Sequence, residues 1–228
     1  AYDVAPNMYG DRLAQLIPGN SYVFGLDAGG RIASLKEGKT LTGGMVFLID
    51  AKIKESGFDS QVEFRVMSTN GKVSSIEGVS RVVVDEVRCT NSQEVLNLLS
   101  VDPKANHGPG NPVLSQPVQI SINDEGRLTK IDTPNLGLGE DSKNSLQVIC
   151  AEEKELRYKA NPKMFESYFG INTATKVFFY PSGTATEADK GADDAYGVAG
   201  TTYFTNDGTY TVKAYANESE SPLALSLI

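Results

Sequence analysis

The sequence has no tryptophan, one histidine and two cysteines among its 228 residues. The histidine, His107, lies in a Pro/Gly-rich segment without a recognisable nucleophile motif nearby, so Ser-His-Asp or Cys-His catalysis is not expected. Cys89 and Cys150 lie about 60 residues apart and lack the CxxC spacing of zinc and redox sites. They are interpreted as buried thiols or, in an exported protein, as a disulfide. These scarcities predict no metal site, no bound cofactor and no nucleophilic active site.

Positive clusters and long apolar runs are also missing. The chain has 21 Lys and Arg against 29 Asp and Glu, which gives a net charge of −8 and a pI near 4.8. Nucleic acids bind clustered positive charge, so they are not expected partners. No apolar run approaches the roughly 18 residues that a membrane span needs, so this segment is not expected to insert into a membrane. The start at Ala1, without Met or a signal peptide, is typical of a processed protein or an excised fragment.

What the sequence does contain, four times, is an alternating apolar run, an Asn/Asp-rich turn with glycine, and a second apolar run. Period-two alternation places apolar side chains on one face of a strand, and glycine supplies the positive φ of a tight hairpin. Four hairpins are therefore predicted, each with an Asp or Asn side chain bonding to the turn backbone. Their unequal spacing excludes a solenoid. The predicted turn residues are Asp27 and Gly30, Asn70 and Gly71, Asp124 and Gly126, and Asp207 and Gly208.

One segment, residues 92–100, has its apolar residues at helical rather than alternating spacing. Thr90 or Asn91 before it, and Glu94 in its first turn, are placed to cap a helix. A second short helix is predicted over residues 8–16, where proline and glycine follow the helical pattern.

Residues 101–115 are rich in proline, glycine and asparagine, which predicts a linker or a long loop. This divides the chain into an N-terminal β domain over residues 1–100, closed by the helix near 92–100, and a C-terminal β domain over residues 116–228. The predicted class is all-β with one or two short helices, built from hairpins as small barrels or sandwiches. A helix that plugs one end would make a barrel OB-like. Alternatively, the second half completes the first.

Three tyrosines near the C-terminal end, Tyr196, Tyr203 and Tyr210, are candidates for a platform on which a sugar stacks. The alternative is half-buried packing. Asp189, Asp193 and Asp194 could hold calcium, but their order does not match an EF-hand, and the segment reads better as a solvated loop. Paired carboxylates elsewhere would allow glycoside hydrolysis.

Several segments, in their order along the chain, resemble the β-rich region downstream of surface-layer homology (SLH) repeats in exported proteins of Gram-positive, clostridial-type bacteria. The segments are SYVFGLDAGGRIASL, QPVQISINDEGRLTKIDTP, LRYKANPKMFESYFGINTATKVFFYP and TNDGTYTVKAYANES. In the second segment the matched residues are Asn123, Gly126, Leu128, Ile131, Asp132 and Thr133, and in the third they are Thr175 to Phe178. The chain itself contains no SLH repeat.

The resemblance implies an extracellular, wall-associated protein whose β-modules extend, adhere or assemble, and it offers no catalytic residues. The expected function is a non-catalytic structural or adhesion module of a bacterial cell-surface protein. Cell-wall polysaccharide and other surface-protein modules are the expected partners. The alternatives are a carbohydrate-binding module, which the three tyrosines favour, and a carboxylate-based hydrolase.

Overall fold

The computed structural model describes residues 3, 5–6, 22–37, 43–56, 59–134, 146–181, 186–217 and 225–227. These residues form fourteen strands and two short α-helices, which confirms the predicted all-β class with few helices. The helix predicted over residues 8–16 lies outside the described residues. The chain divides into two units, Ala1–Thr42 and Gly43–Ile228.

The described residues of the first unit form a hairpin, as predicted. Its strands are β1 (Tyr22–Leu26) and β2 (Ile32–Glu37). At the turn, Asp27 Oδ1 accepts hydrogen bonds from the N–H groups of Gly29 (2.9 Å) and Arg31 (3.0 Å), and Gly30 has a φ of +76°. The Arg31 backbone N–H, followed by its guanidinium, lowers the pKa of Asp27. An ionised acceptor and a left-handed glycine therefore fix this turn.

The second unit contains the other elements that the structure describes. In chain order these are β3 (Gly44–Ser56), β4 (Asp59–Ser68), β5 (Val73–Val84), β6 (Val87–Arg88), α1 (Ser92–Leu99), β7 (Gln116–Ile122), β8 (Leu128–Asp132), β9 (Leu146–Lys159), β10 (Met164–Phe165), β11 (Phe169–Phe179), α2 (Glu187–Gly191), β12 (Gly197–Ala199), β13 (Thr209–Asn217) and β14 (Leu225–Leu227). They form two six-stranded sheets.

The first sheet closes into a barrel. Its order is β4-β3-β7-β8-β5-β6, and β4 also pairs with β5, so that five strands complete a ring. All neighbours in the ring are antiparallel except β5 and β8, and α1 lies between the third and fourth strands of the ring in chain order. A five-stranded Greek-key barrel of this kind is an OB fold. The first half of this unit therefore adopts the OB-like form considered from the sequence.

The division predicted at residues 101–115 has to be moved. Strands β7 and β8, which the sequence assigned to a C-terminal domain starting at residue 116, pair with β3 and β5 and complete the first barrel. The segment 101–115 connects α1 to β7 within that barrel. The buried Asn111 donates to the carbonyl of Asp102 (2.9 Å) and accepts from its N–H (2.8 Å), while Leu114 N–H donates to Leu99 O (2.8 Å). The proline and glycine residues of segment 101–115 therefore shape an ordered connection.

The predicted helix forms as Ser92–Leu99. Asn91 is its N-cap and accepts from Glu94 N–H (2.9 Å), while the Glu94 carboxylate accepts from Thr90 N–H (2.7 Å). This reciprocal arrangement satisfies donors that the helix end leaves unpaired, and the Thr90 N–H lowers the pKa of Glu94. Val95, Leu96 and Leu99 are buried, so the helix is amphipathic.

The second sheet repeats the topology of the first. Its order is β10-β9-β13-β14-β11-β12, with β10 also paired to β11, and β11 and β14 form its parallel pair. The register is repeated as well. In each barrel, two residue pairs between the parallel strands lie five residues apart on the third barrel strand and two residues apart on the fifth. The paired residues are Gly78 with Leu128 and Val83 with Lys130 in the first barrel, and Ile171 with Leu225 and Lys176 with Leu227 in the second. The unit is thus two barrels of the same design.

The two barrels pack against each other through apolar side chains. Phe47, Ile49 and Met67 from the first barrel form one cluster with Phe178 and Tyr215 from the second. The Phe47 ring stacks on Phe178 (centroids 5.6 Å apart) and on Tyr180 (5.2 Å). Residues 45–49 form an uninterrupted apolar run because β3 is buried both inside its own barrel and against the second barrel.

The second and third predicted hairpins, β4–β5 and β7–β8, also form, with Gly71 at φ +86° and Gly126 at φ +83°. Asn70 Oδ1 accepts from the N–H two residues further on (3.2 Å), as expected. In the third turn the prediction was wrong, because the acceptor is Asn123 and Asp124 is exposed. Asn123 Oδ1 accepts from the N–H groups two and four residues further on (3.0 and 2.9 Å), as Asp27 does in the first turn.

The fourth predicted hairpin does not form. Strand β12 pairs with β11, and β13 pairs with β9, so the turn at Asp207 leads from a loop into β13. Asp207 itself takes the positive φ (+65°), and its carboxylate pairs with Lys159. Gly208 is required for space instead, because a Cβ there would lie 2.8 Å from Thr205 Oγ1 and from the Tyr210 ring.

Candidate functional site

A cleft of about 360 Å³ lies at the junction of the two barrels. Its walls come from the end of β11, from β9 and β13, from the short 3-10 turn Thr201–Tyr203, and, in the first barrel, from β3 and the start of β7. This volume is at the lower end of the range for small-molecule sites, which are mostly apolar with a few placed polar groups. The lining of this cleft is likewise mostly apolar, with a few polar groups.

Aromatic rings form two walls of the cleft. On the first-barrel side, Phe47 stacks on Phe178 and on Tyr180. On the opposite side, Tyr203 lies edge-on to Phe179 (4.6 Å), and its ring is 5.7 Å from that of Tyr210. Edge-to-face and offset contacts at these distances are favourable, so the ring positions are fixed by their neighbours.

A small polar group lies beside the first wall. Tyr180 Oη donates to Glu153 Oε1 (3.3 Å), and Lys213 Nζ lies 4.0 Å from the same oxygen. Burial, and then the negative charge of Glu153, raises the pKa of Tyr180, so its phenol remains a donor. Glu153 is the one carboxylate that lines the cleft in the described part of the chain. Among the described side chains, the cleft thus holds one of the two carboxylates that glycoside hydrolysis requires.

The structure brings two of the three predicted tyrosines together. Tyr203 and Tyr210 line the cleft, whereas Tyr196 does not. Tyr203 stands at the mouth with 47% of its surface exposed. Tyr210 is part of the wall. Its oxygen lies 3.1 Å from the Thr205 hydroxyl and accepts from Thr205 N–H (2.9 Å), and these hydrogen bonds, the side-chain one first, lower the pKa of Tyr210. Tyr210 therefore matches the alternative of half-buried packing, whereas the ring of Tyr203 is accessible.

Tyr196 takes part in a contact between the barrels. Its ring lies 5.2 Å from the Arg65 guanidinium, which also donates to the carbonyls of Lys190 (2.7 Å) and Gly191 (2.9 Å). Arg65 pairs with Asp193 as well. The acidic segment, predicted to be a solvated loop, is therefore in its described part α2 and a 3-10 turn that Arg65 holds.

The calcium alternative gains no support from these residues. Asp193 is paired with Arg65, and Asp194 is exposed. The side chain of Asp189 lies outside what the structure describes. Across the described ranges, no group of three His, Cys, Asp or Glu side chains is arranged to hold a metal ion.

His107 does meet a serine, which the sequence did not indicate. His107 Nδ1 lies 3.1 Å from Ser100 Oγ, but that hydroxyl is buried and lies 2.7 Å from the carbonyl of Leu96, to which it donates. Because the hydroxyl proton is used on the helix, Nδ1 must be the donor to Ser100 rather than the base. The pair fastens the end of α1 and is not a nucleophile with its base.

Cys89 and Cys150 are thiols rather than halves of a disulfide. Burial, with a smaller effect from the Glu94 charge, raises the pKa of Cys89 to about 11. A thiol with such a pKa is protonated at neutral pH and is a poor nucleophile. For Cys89 this agrees with the interpretation as a buried, unreactive side chain.

Sequence reasoning missed the residues that the first barrel contributes to the cleft and, apart from Tyr210, those of β13. These are chiefly Phe47, Pro117 and Lys213. Only the apolar run at residues 45–49 carried a signal, since a strand apolar on both faces must be buried on both. Nothing local to Pro117 or Lys213 shows which distant residues they meet.

Comparison of the chain with family models, with curated proteins and with solved structures found no match. The use of the cleft has therefore to be inferred from its own residues. Within the described ranges, no helix has both the length and the apolar character needed to cross a membrane.

Proposed function

We propose that the chain is a non-catalytic structural or adhesion module of a bacterial cell-surface protein, and that the cleft holds its partner. The observation that carries this proposal is the aromatic cleft at the junction, lined by Phe47, Tyr180 and Tyr203, with one carboxylate and one ammonium group. Such a lining provides apolar contact and a few hydrogen bonds, which suits binding. The ordered resemblance to regions downstream of SLH repeats supports an extracellular, wall-associated location.

The proposed partners are cell-wall polysaccharide or a segment of another surface-protein module. Both present apolar and hydrogen-bonding groups along an extended chain. The net charge of −8 disfavours polyanionic partners, because like charges repel.

One observation favours a carbohydrate-binding module as the second candidate. The Tyr203 ring is exposed at the mouth and is held edge-on by Phe179, so one face is available for stacking. Thr209 and Thr211, both exposed, line the cleft and offer hydroxyl groups. Sugars are commonly bound by this pairing of an aromatic face with nearby hydrogen-bonding groups.

Replacing Tyr203 with alanine is expected to weaken binding to purified Gram-positive cell walls by about tenfold or more, because an exposed anchor ring is removed. Binding would be measured by cosedimentation of the full chain with walls over a range of wall concentrations. Tyr168→Ala is the matched control: Tyr168 is similarly exposed (50%) and does not line the cleft. Its wall binding should match that of the unsubstituted chain.

Two wall preparations separate the partner classes. Walls stripped of protein with hot detergent and protease retain the polysaccharide, whereas untreated walls carry surface proteins as well. Binding to stripped walls that Tyr203→Ala abolishes supports the carbohydrate candidate, and binding to untreated walls alone rules that candidate out. If the chain sediments with neither preparation, the proposed adhesion function is wrong.

A further inference from the structure

The cleft contains a largely buried ammonium group that lacks a hydrogen-bond acceptor in the described part of the chain. The Lys213 side chain is 17% exposed, and its Nζ lies 4.0 Å from Glu153 Oε1, which is longer than a hydrogen bond. Nζ also lies 5.8 Å from the centroid of the Tyr180 ring. These two contacts orient the ammonium group but do not take up its N–H groups. Because Lys213 lines the cleft and unpaired buried donors are costly, a ligand in the cleft is the natural source of the acceptor.

Two further groups add to this polar cluster. Tyr215 is 6% exposed and lines the cleft, and no described residue forms a hydrogen bond with its hydroxyl. Burial, with a smaller effect from Cys150, raises the pKa of Tyr215, so the hydroxyl stays a donor. The contacts that Tyr180 and Lys213 make with Glu153 are both to Oε1, which leaves Oε2 as an acceptor. The cluster thus offers donors together with an acceptor.

Apolar ring surface lies next to the cluster. Phe47 stacks on Phe178 and on Tyr180, and the Tyr180 hydroxyl is the group that donates to Glu153. A ligand group that pairs with Glu153 therefore also borders these rings.

The combination discriminates between classes of ligand group. A carboxylate would be repelled by Glu153, and an ammonium group would be repelled by Lys213. A secondary amide has both a carbonyl oxygen that accepts and an N–H that donates. An acetamido group adds an apolar methyl, so it matches the donors, the acceptor and the rings at once.

The strand that carries Lys213 connects the cluster to sugar-binding groups. Thr209, Thr211 and Lys213 occupy alternate positions of β13, which places them on one face, and all three line the cleft. Tyr203, with its exposed ring, lines the same cleft. Hydroxyl groups and an aromatic face are thus available to the sugar ring that carries the acetamido group, or to the ring next to it.

We propose that the cleft binds an N-acetylated amino sugar, whose acetamido carbonyl accepts from Lys213 and Tyr215 and whose acetamido N–H donates to Glu153. The methyl group packs against the Phe47 side of the cleft, and Tyr203 stacks on a ring of the same glycan. This inference rests on the proposed function, for which it names the partner as a wall polysaccharide with N-acetyl groups. A site that pairs with a polar ligand group rejects analogues without that group, because its own buried groups are then left unpaired.

The probe is N,N′,N″-triacetylchitotriose, titrated into the full, isotope-labelled chain and followed by NMR. Cellotriose has hydroxyl groups in place of the acetamido groups, and chitotriose lacks the acetyl groups. The expected result is saturable binding of the acetylated trimer with shifts at Lys213 and Tyr215, and binding at least about tenfold weaker for both comparison sugars. Absence of binding by the acetylated trimer, or equal binding by cellotriose, would overturn the inference.

A peptide separates the two sources of a secondary amide. Acetyl-triglycine amide carries several secondary amides but no sugar ring, so it cannot stack on Tyr203 as a sugar does. It is expected to bind at least about tenfold more weakly than the acetylated trimer. Equal binding by this peptide would assign the site to a polypeptide partner and would overturn the sugar.

Lys213→Met tests the central donor, because it removes the ammonium group and keeps the length of the side chain. Its affinity for the acetylated trimer is expected to fall at least about tenfold. Lys176→Met is the matched control, since Lys176 is exposed on β11 and does not line the cleft, and it should bind as the unsubstituted chain does. Circular dichroism checks that both variants keep the sheets. Unchanged affinity in folded Lys213→Met would overturn the inference.

The outcome is separable from that of the wall experiment. Wall binding without binding of the acetylated trimer refutes the acetamido site alone. Binding of the acetylated trimer without wall binding supports the acetamido site and refutes the wall-adhesion function.

Discussion

Replacing Phe165 with alanine is expected to lower the free energy of unfolding by about 3–5 kcal/mol. Phe165 is completely buried in the second barrel, and its ring lies 4.8 Å from Phe204, 5.1 Å from Phe169 and 5.2 Å from Tyr158. Truncation removes these contacts and leaves a cavity among rings that cannot all shift to fill it. Because whole domains are stable by only about 5–15 kcal/mol, this is a large share of the total.

Urea unfolding followed by circular dichroism would measure the loss. Tyr168→Ala is the control, since it removes an aromatic ring three residues away that is half exposed and contacts Lys154. Its cost should stay below about 1 kcal/mol, the range for an exposed cation–π contact. If both substitutions cost the same, Phe165 does not occupy a closely packed core.

The second large effect is expected at the junction of the barrels, for Phe47→Ala. Phe47 is buried and stacks on Phe178 and Tyr180, so its loss should cost about 3 kcal/mol, the lower end of the range for buried phenylalanines, because one side of the ring borders the cleft. Phe47 packs against both barrels, so its truncation should also weaken their coupling. Thermal unfolding should then change from one transition towards two.

Differential scanning calorimetry would show this change. Ile53→Ala provides the matched control, because Ile53 lies on the same strand and is partly exposed (37%), outside the junction cluster. It should retain the transition shape of the unsubstituted chain. A single, unshifted transition in Phe47→Ala would show that the barrels do not depend on this contact.

Local features of the fold were predictable from the sequence because their causes are local. Alternation and turn residues located three hairpins, and capping side chains located the helix Ser92–Leu99. The fourth hairpin failed for a physical reason: Asp207 adopts the left-handed conformation that the pattern assigned to Gly208, and the flanking strands have other partners. A turn signal indicates a reversal of the chain but does not say which strands will pair.

The closing of the barrels was not predictable in this way. It depends on pairs such as Val46 with Val118 and Gly78 with Leu128, which join residues far apart in sequence. The Pro/Gly composition of residues 101–115 is equally compatible with a linker and with an ordered connection. Unequal spacing of the turns excluded a solenoid but hid the duplicated barrel, because the two copies differ in strand and loop lengths.

The candidate site was only partly predictable from the sequence. Tyr203 and Tyr210 stand close together in the sequence, and aromatic side chains so placed were natural candidates for a binding surface. Phe47 and Lys213 join them only through the packing of the two barrels.

The claim central to this account is that the cleft at the junction of the two barrels holds a cell-wall partner. Cosedimentation of Tyr203→Ala with Gram-positive cell walls tests it most directly, because Tyr203 is the exposed ring that lines the cleft. The account predicts wall binding about tenfold or more weaker than that of the unsubstituted chain, with Tyr168→Ala unchanged. Equal wall binding by Tyr203→Ala and the unsubstituted chain would contradict the account.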